Sequence, residues 1–254
     1  MNNTAFSEWL TALPTHEKAA LIFMGQAGFI IKDRSGLLYA VDVYFSDCCE
    51  REFGFKRLMP KLMEPSEVVF DYVLTTHGHY DHFDVDAMPI LMNNDTTALY
   101  VTAGGMEKCR KLGLTERVTQ IEEGGSYKVG NITLTAVYCD HGELAPDAVG
   151  FLLDVDGTRI LLCGDTAYRP EKMEALMDAA IDLLFVPING AFGNLNEEEA
   201  IAYVELLQPK TVVPCHYGNF KEHGGDVERF NRLFAERFST ITNRNMVIGD
   251  SLSL

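Results

Sequence analysis

The first forty residues alternate short apolar runs with breaks rich in glycine and aspartate. Residues 21–24, 28–31 and 37–41 are such runs, and the Asp33-Arg34-Ser35-Gly36 break between the last two predicts a three-stranded meander. Beyond them the rhythm changes. Strand-like stretches at 70–76, 99–102, 132–140, 159–163 and 211–215 are interleaved with segments of helical spacing at 85–92, 105–112, 171–180, 196–207 and 226–238. A hairpin is predicted over 118–137. Asn196 with Glu199 three residues later reads as a capping box, while Asp84 and Asp226 stand where helix starts need a side-chain acceptor. Strands alternating with helices predict an α/β fold.

Composition sets the limits. With 254 residues, 47% of them hydrophobic, the chain can bury one large core or two small ones. No Pro-rich linker or low-complexity segment divides it, so one domain over 1–254 is expected. Twenty-one basic against 37 acidic residues leave a net charge of -16, which disfavours nucleic acid as a partner because phosphate binding depends on lysine and arginine. No apolar run approaches the roughly 18 residues of a membrane span. Residues 1–9 lack the basic start and apolar middle of a secretory signal, and a cytoplasmic location is expected. The six cysteines show no C-x-x-C spacing and read as reduced, buried thiols.

One short stretch concentrates the chemistry. After the predicted strand at 70–76 come His77, His79, Asp81 and His82, an H-x-H-x-D-H pattern with Gly78 loosening the exit. An extended chain sends residues i and i+2 to one side, so His77 and His79 can reach one ion together. A single His-x-His would more simply be a solvated polar loop. Three imidazoles and a carboxylate in six positions favour a metal.

The pattern resembles the signature of the metallo-β-lactamase superfamily, and the resemblance implies a four-layer αββα sandwich with one or two metals at the sheet edges. It also implies three further ligands downstream, at the ends of strands. His141 after 132–140, Asp165 in a Gly-Asp-Thr turn after 159–163, and His216 after 211–215 match them in order. Five of the seven histidines then fall on motif positions, leaving His16 without a role and His223 as an exposed loop residue. The family pattern assigns His77, His79 and His141 to one metal, Asp81, His82 and His216 to the other, and shares Asp165 between them. It gives Asp42, which follows the meander, the task of hydrogen-bonding a ligand histidine. Nitrogen and carboxylate donors without thiolate suit zinc, manganese or iron.

Such a site implies a hydrolase in which metal-bound hydroxide attacks the substrate, with Asp81 orienting the nucleophile or carrying a proton and Asp165 bridging the ions. Four positive charges from two divalent ions, less three from two carboxylates and a hydroxide, favour an anionic small-molecule substrate. Residues 51–61 hold four cations and one anion together with Phe53 and Phe55, so Lys56 and Arg57 are candidate substrate contacts on a lid. Residues 25–29 (GQAGF), 187–190 (PING) and 214–220 (PCHYGNF) are similar to the L-ascorbate-6-phosphate lactonase branch, which implies a lactonase opening a phosphorylated sugar lactone and a possible homo-oligomer. Asn189, Tyr217 and Asn219 in these stretches are the remaining candidate substrate contacts. Hydrolysis of a phosphodiester, amide or thioester, or metal binding without turnover, are the alternatives.

Overall fold

Apolar runs that are buried along their whole length, as at residues 20–25 and 183–187, belong to strands covered on both faces. A computed structural model describes residues 3–254. Helix α1 (Asn3–Ala12) precedes β1 (Ala20–Gly25), β2 (Gly28–Lys32) and β3 (Leu38–Val41). Then come α2 (Cys48–Phe53), β4 (Tyr72–Leu74), α3 (Met88–Leu91), β5 (Ala98–Val101), α4 (Ala103–Lys111) and β6 (Val118–Gln120). The second half runs through β7 (Ser126–Val129), β8 (Ile132–Tyr138), β9 (Val149–Val155), β10 (Thr158–Leu162), α5 (Glu174–Met177) and β11 (Leu183–Pro187). It ends with α6 (Glu197–Leu207), β12 (Thr211–Cys215), α7 (Val227–Arg237), β13 (Thr242–Asn243) and β14 (Ser251–Ser253).

Two seven-stranded sheets result, ordered β14-β1-β2-β3-β4-β5-β6 and β13-β12-β11-β10-β9-β8-β7. Each is antiparallel through its meander and parallel beyond it, with β3 to β6 parallel in one and β10 to β13 parallel in the other. Phe29, Val41, Leu134, Phe151 and Phe185 belong to the core between the sheets. Leu10, Met88 and Cys109 pack helices onto the outside of the first sheet, and Val204, Phe230 and Phe234 do so on the second. The architecture is an αββα sandwich.

Local signals mostly act as expected. The Asn196 side chain accepts from Glu199 N while Glu199 Oε2 accepts from Asn196 N, both at 3.0 Å, and Asp226 Oδ1 accepts from Arg229 N at 2.9 Å. Three expectations are corrected. Residues 118–120 are not part of a hairpin with the following strand, because β6 runs parallel to β5 in the first sheet while β7 and β8 open the second. The stretch at 70–76 keeps a ladder only over 72–74, since Thr76 N donates to the Asp42 side chain instead. The helix at 171–180 shrinks to a 3-10 turn at Pro170–Lys172 followed by the four residues of α5. Helices α1 and α2 and strands β9, β11, β13 and β14 lay outside the stretches expected from the sequence. Among the described residues, no helix is long and apolar enough to cross a membrane.

Candidate metal centre

Strands β3, β4, β8, β10 and β12 deliver their C-terminal ends to one edge of the sandwich. At the end of β3, Asp42 adopts a left-handed backbone (φ 47°) that turns its carboxylate beneath the histidine loop. That carboxylate accepts hydrogen bonds from Thr76 N (2.8 Å), Thr76 Oγ1 (2.6 Å) and His82 Nδ1 (2.9 Å). With one proton held on Nδ1, His82 turns Nε2 to the site, where a bound metal would displace the second proton.

The loop itself is not extended. His82 N and Phe83 N both donate to His79 O, a turn that brings Asp81 and His82 back toward the site, while the rings of His77 and His79 lie edge to face with centroids 4.6 Å apart. Gly78 suits this approach because a Cβ there would stand 3.1 Å from the backbone carbon of Gly104 at the start of α4, tighter than most side chains sit. His79 Nε2 faces Leu144 O at 3.1 Å, which leaves Nδ1 to point at His141 Nε2, 3.2 Å away. His141 and Asp165 sit on loops joined to each other, Ala167 N donating to Asp140 O (2.7 Å) and Asp140 N to Thr166 Oγ1 (3.0 Å). Asp165 Oδ1 lies 3.1 Å from His216 Nε2 and 3.3 Å from His82 Nε2, while its Oδ2 is 3.8 Å from His141 Nε2. Asp81 Oδ2 lies 3.3 Å from His216 Nε2. All seven candidate ligands from the sequence therefore meet.

Their donor atoms fall into three groups, His77/His79/His141, His77/His82/Asp165 and Asp81/His216/His223, the atoms of each within 4.8 Å of one another. His223 was expected to be an exposed loop histidine and is not. It is buried, its ring stacks on His216 (centroids 4.9 Å, 9° between planes), and its Nδ1 is 2.7 Å from Gln26 Nε2. Gln26, also buried, donates from the same nitrogen to Asp81 Oδ2 at 3.0 Å. The sequence signal for His223 was the Gly224-Gly225 pair behind it, both with positive φ, which folds the loop inward.

Burial, reinforced by neighbouring imidazoles, lowers the pKa of His77 and His141, the latter to about 4, and of His223, also to about 4; burial likewise lowers that of His79. For His216 and His82 burial is outweighed by Asp165 and Asp81, which raise His216 to about 9 and His82 well above an ordinary imidazole. Those same histidines overcome the desolvation of Asp81 and Asp165 and hold both carboxyls well below the usual range. Ionised carboxylates among mostly neutral imidazoles are what a metal requires of its ligands. The buried His77 Nε2 and Asp165 Oδ1 have no aligned hydrogen-bond partner, although Asp165 Oδ1 has two imidazole nitrogens within 3.3 Å. Such crowding without hydrogen bonds costs about 1–3 kcal/mol per group unless an ion fills the space. The residues fit one or two divalent metals. All six cysteines are buried and free; Cys139 donates its Sγ–H to Asp165 O (3.1 Å), and no thiol joins the donor groups.

Above the cluster opens a cavity of about 370 Å³, with His79, Asp81, His141, Asp165, His216 and His223 at its floor. Its walls correct the expected substrate contacts. Lys56 is exposed and does not line it. Arg57 donates to Tyr44 O (3.0 Å), Ser46 O (2.6 Å) and Asp47 Oδ1 (3.2 Å), its guanidinium lying over the Tyr44 ring, so it braces the loop after β3. Asn189 bonds within its own loop to Ala191 O and Asn194 Nδ2, and Asn219 Oδ1 accepts from Met59 N. Tyr217 packs against the outer core of the second sheet. The cavity is walled by other residues, Phe53, Phe55, Tyr80, Leu144 and Phe192, with Lys108 as its one lysine or arginine.

Residues 42–217 match the Beta-lactamase superfamily domain. A UPF0173 metal-dependent hydrolase of Carboxydothermus hydrogenoformans is 29% identical over 83% of this chain and 89% of its own length. Another, from Thermoplasma acidophilum, is 33% identical over 67% of this chain and 76% of its own. Among solved structures, a metallo hydrolase from Ignicoccus hospitalis superposes with a TM-score of 0.70 at 20% identity, covering 93% of this chain and 98% of that one. The chain belongs to the metallo-β-lactamase superfamily, among its metal-dependent hydrolases.

Proposed function

We propose that this protein hydrolyses a lactone or ester of a small anionic acid at the floor of the cavity. The observation that carries the reading is the convergence of imidazoles, most of them neutral, and ionised carboxylates, with unpartnered buried donor atoms, beneath a cavity that holds a lysine in its wall. The volume corresponds to on the order of a dozen water molecules, the scale of a metabolite rather than a polymer. His77, His79, His141, Asp165, His82, Asp81 and His216 would hold the metal, with His223 a further donor beside Asp81 and His216. A divalent ion in such a site supplies Lewis acidity and a nucleophile at neutral pH.

The chain's own groups supply the rest. Hydrolysis consumes one water, whose oxygen ends on the acyl carbon; one proton goes to the departing alkoxide and the other to solvent as the acid ionises. Asp81, ionised and lining the cavity, would orient the attacking water by accepting its hydrogen bond, its low pKa suiting it to that task more than to carrying the proton. Asp42 fixes the His82 ring and Asp165 joins the donor groups. Lys108 is the cavity's cation for the substrate's charge. A phosphorylated sugar lactone of the L-ascorbate-6-phosphate type belongs in the panel, because residues 25–29, 187–190 and 214–220 are similar to that branch.

The test is a panel of lactones, carboxylic esters, amides, thioesters and phosphodiesters, run on protein whose metal content has been measured. The expected result is hydrolysis of lactones or esters that is lost on chelation and in a folded His79→Ala variant. Turnover of phosphodiesters with no lactone or ester activity would overturn the bond assignment, and metal binding without any turnover would favour a non-catalytic role.

A further inference from the structure

The cavity wall says more about the substrate than its floor. Starting at Lys108, whose Nζ lies 5.1 Å over the Tyr80 ring, aromatic neighbours follow one another around the opening. Tyr80 and Phe53 are 5.4 Å apart between centroids, Phe53 and Phe55 6.0 Å, Phe55 and Phe192 5.8 Å, and Phe192 and His223 5.4 Å. The arc thus runs from a cation to the metal-ligand floor. It draws on α2, the histidine loop and the loop after β11, and a bridge between Gly190 and Gly224 ties the segments carrying Phe192 and His223.

Phe53, Leu144 and Phe192 are 57%, 58% and 46% exposed, three of the nine large hydrophobic side chains left exposed among the described residues, and all three line this one cavity. Clustered apolar exposure of this kind marks a binding surface. These side chains and Phe55 carry no hydrogen-bonding group, so a polyol pressed against them would leave its hydroxyls unpaired. Lys108 is half-buried and forms no salt bridge among the described residues, whereas Lys111 on the same helix pairs with Glu107 at 2.7 Å. Burial lowers its pKa, as expected of an ammonium short of solvent.

We propose that the cavity selects an acyl substrate with an aromatic or branched apolar body and one anionic end, the body lying along Phe53, Phe55 and Phe192 and the anion pairing with Lys108. This rests on the hydrolase reading above and narrows its anionic substrate away from sugars.

Two measurements separate the claims. In the first, kcat/KM is compared for a phenyl-bearing ester carrying a terminal carboxylate, its uncharged methyl analogue, and L-ascorbate-6-phosphate. The charged phenyl ester should exceed the uncharged one by about tenfold or more. Lys108→Met should bring that ratio toward one through KM, and Phe192→Ala should lower kcat/KM for both phenyl esters within the roughly 10- to 200-fold range of apolar pocket contacts. Equal or faster turnover of the sugar phosphate, or an unchanged ratio in Lys108→Met, would overturn the inference. The second is calorimetric binding of 4-carboxyphenylacetate and phenylacetate to the metal-loaded protein. Tighter binding of the dicarboxylate that disappears in Lys108→Met supports the inference even if no ester is cleaved, in which case the hydrolase reading alone falls. Equal affinities for the two acids in the wild type count against the inference.

Discussion

Asp42→Asn tests the support beneath the metal centre with almost no change of shape. Asparagine tolerates the left-handed backbone that Asp42 adopts (φ 47°), so the substitution adds no strain of its own. It keeps one acceptor oxygen for Thr76 N and replaces the other with an NH2 group facing Thr76 Oγ1 and His82 Nδ1. The threonine hydroxyl can rotate to accept, but His82 must either leave two donors opposed or move its proton to Nε2, the nitrogen aimed at the metal. One charge-assisted bond lost at a buried site amounts to about 1.5–3 kcal/mol. At roughly 2.1 cal/mol/K per residue, 254 residues give an unfolding entropy of about 0.5 kcal/mol per degree, so the chelated variant should melt about 3 to 6 °C below the chelated wild type. Metal affinity should fall about 10- to 100-fold, the usual effect of losing a partner that orients a ligand. Differential scanning calorimetry and a chelator competition titration measure the two effects. An Asp42→Asn protein with wild-type metal affinity and a melting point within a degree of wild type would refute the role assigned to this carboxylate.

Chelated protein should be most stable near pH 6.5. His77, His79, His141 and His223 stay neutral when folded but protonate on unfolding, so stability falls as pH drops below about 6.5, through about 4 for His141 and His223. His82 and His216 act in the opposite sense, contributing fully below about 6.5 and losing that contribution as pH rises, through about 9 for His216. A melting temperature that is flat from pH 5 to 9 contradicts both assignments. Gly78→Ala should cost about 1–3 kcal/mol, because the new methyl group meets Gly104 backbone whose N–H is held by Asp147; a melting curve superimposable on wild type would show that the two loops are not in contact. His223→Ala should weaken the more weakly held metal by more than the roughly tenfold that an outer partner costs, seen as reduced metal content after dialysis, and unchanged content would place His223 outside the coordination sphere.

The fold and the floor of the site were legible for the same reason. His77, Asp165 and His216 follow strands that end in fully buried residues, and His141 follows one in which buried and half-buried positions alternate, so in each case the apolar pattern locates the residue that comes next. The walls carried no such pattern. Phe55, Leu144 and Phe192 lie in connections, where side-chain direction is set by tertiary contacts rather than periodicity. Charge density singled out Lys56 and Arg57 in the same stretch as Phe53 and Phe55, but Arg57 is occupied by two carbonyls and Asp47, while the phenylalanines reach the cavity. Lys108 was hidden inside a helix of mixed charge. His223 depended on two glycines whose φ values cannot be read from their identity alone.

Strand β14, made from residues 251–253, pairs with β1 near the other terminus, and Phe23 N donates to Asp250 O beside it. During synthesis this edge of the first sheet stays open until residues 251–253 have left the ribosome. The H-x-H-x-D-H loop emerges long before His216 and His223, and must wait for them as a cluster of uncommitted ligands. The ligand set is therefore complete only after His216 and His223 have emerged, and an ion bound before then is held by fewer donors.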